Sequence, residues 1–185
     1  MIVRMHTLYT ARLILRPFAE SDAADVQRLA GAREIAATTL RVPHPYSLAD
    51  AQQFISACVR NAGQGTGIVF AITLQSGELC GACGLELDPV HRHAEIGYWI
   101  GVPYWGHGYA TEAASIVLDF GFTLLDLHRI YAAHFRGNPA SGRVLEKIGM
   151  THEGRMRGHY LKWGKFLDAE AYGILASDPR GPGAG

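Results

Sequence analysis

Short runs of alternating apolar and polar residues, separated by turn residues, are interrupted four times by apolar positions at helical spacing. Arg12-Leu13-Ile14-Leu15-Arg16 starts a strand that Pro17 stops. Asp22, with Asp25 three residues on, is placed to cap a helix that runs through Val26 and Leu29 to Gly31. After Val42-Pro43-His44-Pro45, Ser47 and Asp50 have capping-box spacing. Ala51, Phe54, Ile55 and Cys58 then mark an amphipathic helix that closes at Asn61-Ala62-Gly63. Strand-like runs follow at Ile68–Leu74, Glu78–Leu87 and His93–Gly101, divided by Gln75-Ser76-Gly77 and Asp88-Pro89-Val90-His91. A third helix covers about Thr111 to Leu125, with Ala114, Val117, Leu118 and Leu125 on one face, and Arg129–Phe135 reads as a strand. Asn138 as N-cap, Pro139 at the first helical position and Gly149 past the end delimit a fourth helix. Strands Gly154–Leu161 and Asp168–Leu175 complete the order β-α-α-β-β-β-α-β-α-β-β. That order predicts a three-layer α/β fold, a mixed, mostly antiparallel sheet of about seven strands flanked by four helices.

The 185 residues suit one domain, expected over residues 1–177, with the Pro/Gly-rich stretch 178–185 as a flexible tail. Lys plus Arg and Asp plus Glu each number 17, so net charge gives no bulk reason to expect nucleic acid or an anionic membrane as partner. No apolar run approaches the roughly 20 residues of a membrane span, and the first residues lack the apolar core of a signal peptide. Three cysteines, an odd count, point to reduced thiols and a cytoplasmic location. The sequence admits a homodimer but does not fix the oligomeric state.

The chemistry concentrates between Glu95 and Ala113. A strand feeds a loop in which Gly106, Gly108 and Ala110 alternate with larger residues, and a helix opens directly after it. Small side chains leave successive main-chain N–H groups bare, and the new helix adds its unpaired N–H groups and positive dipole end. The result is a cradle for an anion such as a pyrophosphate. It is not an ATPase-type phosphate loop, because Gly-Lys-Ser/Thr is absent. A dinucleotide fold fails too: Thr111 stands where a third glycine is needed, and the next strand ends in Phe135-Arg136-Gly137-Asn138 without an acidic residue.

Trp105-Gly106-His107-Gly108-Tyr109-Ala110-Thr111-Glu112-Ala113 resembles the acetyl-CoA pyrophosphate loop of the GNAT acetyltransferase superfamily. Leu13-Ile14-Leu15-Arg16-Pro17-Phe18 with Ser21-Asp22, Glu95-Ile96-Gly97-Tyr98-Trp99, Asn138-Pro139-Ala140-Ser141, Leu145 through Met150, Glu153-Gly154 and Asp168 stand in that family's order. Within it the chain is most similar to the RimJ/RimL-like branch, which acetylates ribosomal-protein N-termini. The resemblance covers roughly residues 8–176. It implies a GNAT-like fold and acetyl-CoA as co-substrate, with no metal. It implies that the backbone at Ile100, Gly101 and Val102 pairs with the pantetheine arm. Gly106, His107, Gly108, Tyr109, Ala110 and Thr111 then hold the pyrophosphate, Asn138 contacts the pantetheine region, and Lys147 lies toward the nucleotide end. Ser141 occupies the position suspected in this branch of protonating the departing thiolate. The chain departs from the family's pattern at Trp105, at His107 in place of a Lys or Arg, and at Leu145 where many members carry an acidic Tyr.

The implied activity is N-acetylation of a primary amine, a protein N-terminal α-amine first and a small amine second. At pH 7 an α-amine of pKa about 7.8 is roughly one-seventh neutral, but a lysine of about 10.4 only about 1 part in 2,500. An α-amine therefore needs only a weak base. Glu95 is the first candidate, because an unbroken strand sets it on one face with His93 and Trp99, which would desolvate it. His134 is the second. The acceptor pocket is expected from residues about 31–47 and 154–168. A non-catalytic acyl-CoA-binding module is the rival reading. Cys80-Gly81-Ala82-Cys83 is not taken as a metal or redox site, since strand positions 80 and 83 should face opposite sides. The histidines at 91 and 93 read as a polar turn, and Tyr98, Trp99, Tyr104, Trp105 and Tyr109 as core and cleft wall.

Overall fold

A computed structural model describes residues 6–179. Eight strands form one sheet: β1 Leu8–Tyr9, β2 Leu13–Pro17, β3 Gly67–Leu74, β4 Leu79–Asp88, β5 His93–Ile100, β6 Arg129–Phe135, β7 Thr151–Lys162 and β8 Lys165–Leu175. Five helices accompany them: α1 Ala23–Ala30, α2 Arg33–Thr38, α3 Leu48–Gln64, α4 Tyr109–Thr123 and α5 Pro139–Lys147. The sheet order is β1-β2-β3-β4-β5-β6-β8-β7, and only β5 and β6 run parallel. The expected three layers are present. On one face Leu13, Leu15, Ile68, Phe70 and Ile72 pack against Val117 and Leu118 of α4 and Leu145 of α5. On the other, Ala71, Leu79 and Ala82 meet Val26 and Leu29 of α1 and Ile55 and Cys58 of α3.

Two expected ends hold in atomic detail. Ser47 Oγ accepts from Asp50 N–H while Asp50 Oδ2 accepts from Ser47 N–H, and Asn138 Oδ1 accepts from Ser141 N–H. Helix α3 runs to Gln64, beyond the expected stop at Gly63, because Gly65 takes the left-handed φ of 69° that ends it. Asp22 differs from expectation. It already has helical dihedrals at the end of a 3-10 turn, Glu20–Asp22, and does not cap α1. Its carboxylate instead accepts from Ala19 N–H and from both terminal nitrogens of Arg16 at 2.7 and 2.8 Å. Burial opposes that charge, yet Arg16 and Ala19 N–H overcome it and hold Asp22 below the ordinary carboxylate range.

The cysteines also depart from expectation. The register of β3 against β4 moves from Ile72↔Gly81 to Thr73↔Leu79, so Cys80 is the extra residue of a bulge. Cys80 and Cys83 therefore both enter the α4-side core. Burial pushes the Cys80 thiol up to about 12 and Cys83 higher still, and all three cysteines are free and buried. Asp178 closes a turn on the end of β8, its carboxylate accepting Leu175 N–H at 2.9 Å. The rest of the expected tail, residues 180–185, and residues 1–5 of the N-terminus lie outside the described residues.

Gly84 on β4 stands opposite Gly97 on β5. A Cβ at Gly84 would meet Ile68 O at 2.4 Å and Val69 Cα at 2.8 Å, whereas one at Gly97 would meet nothing within 4 Å. Gly84→Ala should cost about 1–3 kcal/mol through forced strand movement. Gly97→Ala should stay within about 0.5 kcal/mol of the parent. Urea unfolding of the pair checks this; equal losses would mean the strands do not lie this close.

Candidate active site

Strands β5 and β6 pair only at His93–Glu95 with Arg129–Tyr131, although β5 continues to Ile100 and β6 to Phe135. Beyond Glu95 they part, which opens one edge of β5 toward β6. Tyr98 lies just past that point, on the sheet face that packs with α4 and α5. Its hydroxyl lies 2.9 Å from Ser141 Oγ and 3.2 Å from Ser141 O, in the first turn of α5. Burial raises the Tyr98 pKa strongly, against the Ser141 hydrogen bond, so the phenol keeps its proton.

Glu95, last residue of the ladder, lies opposite Glu86 on β4 and beside Tyr131 on β6. Strand β5 pairs without interruption along β4, so His93, Glu95, Gly97 and Trp99 share a face as expected, and Trp99 packs in the α1/α3 layer. Burial raises the Glu95 pKa, Arg41 pulls it down, and Glu86 adds to the rise. Arg41 is itself paired with Glu86 at 2.6 Å. His134 lies elsewhere. It faces α5, its ring is stacked on Tyr172 and its Nδ1 lies 2.8 Å from Phe135 O. Its Nε2 is buried without a partner beneath Gly142. The fold thus separates the two candidate bases onto opposite faces of the sheet.

The glycine loop follows a 3-10 turn, Val102–Tyr104. Gly106 and Gly108 both have φ of +80°, a region that L side chains avoid. A Cβ at Gly106 would enter open space, and one at Gly108 would meet only Arg12 Nη2 at 3.5 Å. The first bond of the α4 ladder is Glu112 N–H to Gly108 O at 3.1 Å, which leaves the N–H groups of Tyr109, Ala110 and Thr111 ahead of it. His107 stacks on Tyr109 with centroids 5.4 Å apart. The Trp105 indole donates to Ile100 O at 2.6 Å, and Gly101 N–H donates to Cys80 O at 2.8 Å. Ile100 O is thus taken by the indole, and Gly101 N–H faces β4 rather than the side toward β6.

Asn138 spends its carbonyl on the cap and keeps its amide N–H donors. Lys147 is exposed at the other end of α5, roughly 12 Å along the axis. Leu145 is fully in the core, so no acid stands at that position. Among the described residues no group of three or more His, Cys, Asp and Glu is placed to hold a metal, and no helix is long and apolar enough to cross a membrane. A cavity of about 700 Å³ opens beside the site, lined by Ala37, Thr38, Arg136, Asn138, Phe166 and Asp168 among others. Its walls come from both segments expected to form the acceptor pocket. They are joined by Lys162, whose Nζ donates to Leu40 O at 3.1 Å and Val42 O at 2.9 Å.

A model of the acetyltransferase (GNAT) domain matches residues 12–151. The chain belongs to the GNAT acetyltransferases. It is 34% identical over 170 residues to the uncharacterised N-acetyltransferase YoaA of Bacillus subtilis, covering 91% of this chain and 96% of that one. The spermidine N(1)-acetyltransferase of Escherichia coli is 34% identical over 94 residues, half of each chain. Mycobacterium smegmatis RimJ, solved with a CoA-disulfide, superposes with a TM-score of 0.82 at 27% identity, covering 93% and 87% of the two chains. The RimL ribosomal L7/L12 α-N-protein acetyltransferase, solved with coenzyme A, shares the fold with a TM-score of 0.86 at 19% identity, covering 92% and 98%. In this GNAT chain the glycine loop follows the end of β5, and Glu95 stands where β5 and β6 part. Gly108→Glu, which puts a carboxylate into the cradle, should weaken coenzyme A binding at least about 100-fold by calorimetry. Unchanged affinity would place the diphosphate elsewhere.

Proposed function

We propose that this chain is an acetyl-CoA-dependent N-acetyltransferase of the RimJ/RimL type, acting on a protein N-terminal α-amine by direct transfer in a ternary complex. The observation that carries the reading is a half-buried carboxylate, Glu95, at the vertex of a sheet split whose far side is a bare glycine loop running into a helix. The loop fits a diphosphate: positive φ at Gly106 and Gly108 leaves no Cβ in the cradle, and the N–H groups ahead of the α4 ladder are free to donate. Gly106 to Thr111 hold that group, with Asn138 and the β5 edge along the arm and Lys147 toward the nucleotide. Acetyl-CoA, when bound, supplies an activated acetyl thioester.

The residues do the rest. Glu95 takes the proton of the attacking amine, directly or through water. Desolvation makes it a better base than a surface carboxylate, and Arg41 keeps it ionised. Main-chain N–H groups on the open β5 edge face the carbonyl oxygen as it gains charge. Ser141, its hydroxyl steadied by Tyr98, relays a proton from solvent water to the sulfur, taking one up as it gives one. A thiolate of pKa near 8.5 needs only modest help. The cavity between residues 37–38 and 166–168 takes the acceptor. Glu95 is preferred to His134 as the base because the His134 ring is packed on Tyr172, with Nδ1 at Phe135 O and Nε2 beneath Gly142. A small polyamine is the second reading, carried by the likeness to the spermidine enzyme over half the chain.

A thiol-release assay with acetyl-CoA tests both. Turnover with free peptide N-termini and none with N-blocked peptides is expected. Turnover with spermidine alone selects the second reading, and none with peptides, polyamines or aminoglycosides overturns acetyl transfer. Glu95→Gln should lower kcat by about 10²–10³. A base works only when deprotonated, so kcat/KM should rise with pH along an acid limb above the ordinary glutamate value of about 4.3, and Glu95→Gln should lose that limb. Arg41→Ala removes the cation that lowers the Glu95 pKa and frees Glu86, so the limb should move to higher pH.

A further inference from the structure

The turn between β1 and β2 is fastened to the first turn of α4. Thr10 Oγ1 donates to Glu112 Oε1 at 2.6 Å, Arg12 N–H donates to the same oxygen at 3.0 Å, and Arg12 Nε donates to Glu112 Oε2 at 2.7 Å. These bonds overcome the partial burial of Glu112 and hold its carboxyl below the ordinary range. One arm of the guanidinium then reaches past the helix: Nη1 donates to the main-chain oxygen of His107 at 2.9 Å. The same group lies over the Tyr109 ring, Cζ 5.0 Å from its centroid.

The bond to His107 O matters because of what lies on the other end of that peptide. A trans peptide is planar, and its C=O and N–H point to opposite sides. Pinning His107 O against Arg12 therefore turns Gly108 N–H away from the guanidinium. Glycines at 106 and 108, both at φ +80°, give the intervening backbone little steric direction of its own. Within the segment His107 stacks on Tyr109 and Gly108 O accepts Glu112 N–H, and from outside it Arg12 fixes the oxygen of this peptide. Glu112 offsets the charge of Arg12, so the contribution is direction rather than net charge.

We infer that Arg12 is a positioning residue of the coenzyme site, holding the His107–Gly108 peptide so that Gly108 N–H faces the diphosphate. The inference rests on the reading of residues 106–111 as the diphosphate loop. Calorimetry on the full chain with coenzyme A, 3′-dephospho-coenzyme A and pantetheine, alongside acetyl-CoA kinetics, tests it. Arg12→Ala should weaken coenzyme A and 3′-dephospho-coenzyme A by one common factor of about tenfold and leave pantetheine, which lacks the diphosphate, unchanged. KM for acetyl-CoA should rise by that factor with kcat at saturation unaltered. Arg12→Lys keeps the charge without the fork that holds Glu112 and His107 O together, so it should not restore affinity. Full restoration by lysine, an equal loss with pantetheine, or unchanged coenzyme A affinity in Arg12→Ala would each overturn the inference. Should Arg12→Ala fail to fold, Arg12→Lys alone decides: parent-like coenzyme A affinity would overturn the inference, and a loss confined to the diphosphate ligands would support it. A parent protein that binds no coenzyme A overturns the loop reading itself, a separate and visible failure.

Discussion

The parallel pairing of β5 with β6 stops after three residues, and the shape of the candidate site follows from that stop. Had the ladder continued to Ile100 and Phe135, the sheet would be closed and the outer edge of β5 consumed by its neighbour. Instead the strands part at Glu95 and Tyr131. Unpaired main-chain groups inside a sheet are costly unless something meets them. Here Tyr98 bonds to Ser141 on the α5 side, while the β6-facing edge of β5 beyond Glu95 stays outside the ladder. The vertex of the split is also where a carboxylate can be half buried and still reach solvent, which is the setting a proton acceptor needs.

Around that vertex a chain of zero formal charge is organised by local pairs. Arg16 with Asp22 ties the end of β2 to the start of α1, and Arg12 with Glu112 ties the first turn to α4. Arg41 with Glu86 is exposed, and a pair of that kind contributes little to stability. Its effect is on the field at Glu95: the guanidinium favours the ionised carboxylate, while Glu86 beside it works the other way. Bulk charge therefore says nothing about the site. What acts on Glu95 is its burial and the two charges beside it, Arg41 and Glu86.

The sequence carried most of the local architecture. The capping box at Ser47 and Asp50, Asn138-Pro139 before α5, and the β6 bounds Arg129–Phe135 were legible, because each rests on contacts within a few residues. So was the glycine loop, whose positive φ angles need glycine whatever surrounds them. What escaped was short or distant. Strand β1 has two residues, and α2 has six with no side-chain cap, too few for a periodicity to register. The turn Trp163-Gly164 takes left-handed φ values of 49° and 74°, giving a tight hairpin where a tryptophan does not announce one. Cys80 and Cys83 share a face, against the expected opposition, because a bulge cannot be counted from period-two alternation. The contacts of Tyr98 with Ser141, Arg12 with His107 and Arg41 with Glu86 join residues 43 to 95 positions apart. Only the folded chain brings them together.

Lys162 sets the cavity wall apart from the glycine loop in how each is built. The ammonium is buried and its pKa lowered by desolvation, yet it reaches two carbonyls of the segment after α2 and moors the β7–β8 hairpin there. The cavity wall is thus a composite of segments some 120 residues apart, fastened by one side chain, while the glycine cradle is a single contiguous stretch. Natural variation or a designer can recut the hairpin and the facing segment as a matched cassette. Such a recut leaves the glycine loop, which shares no residue with either segment, as it stands.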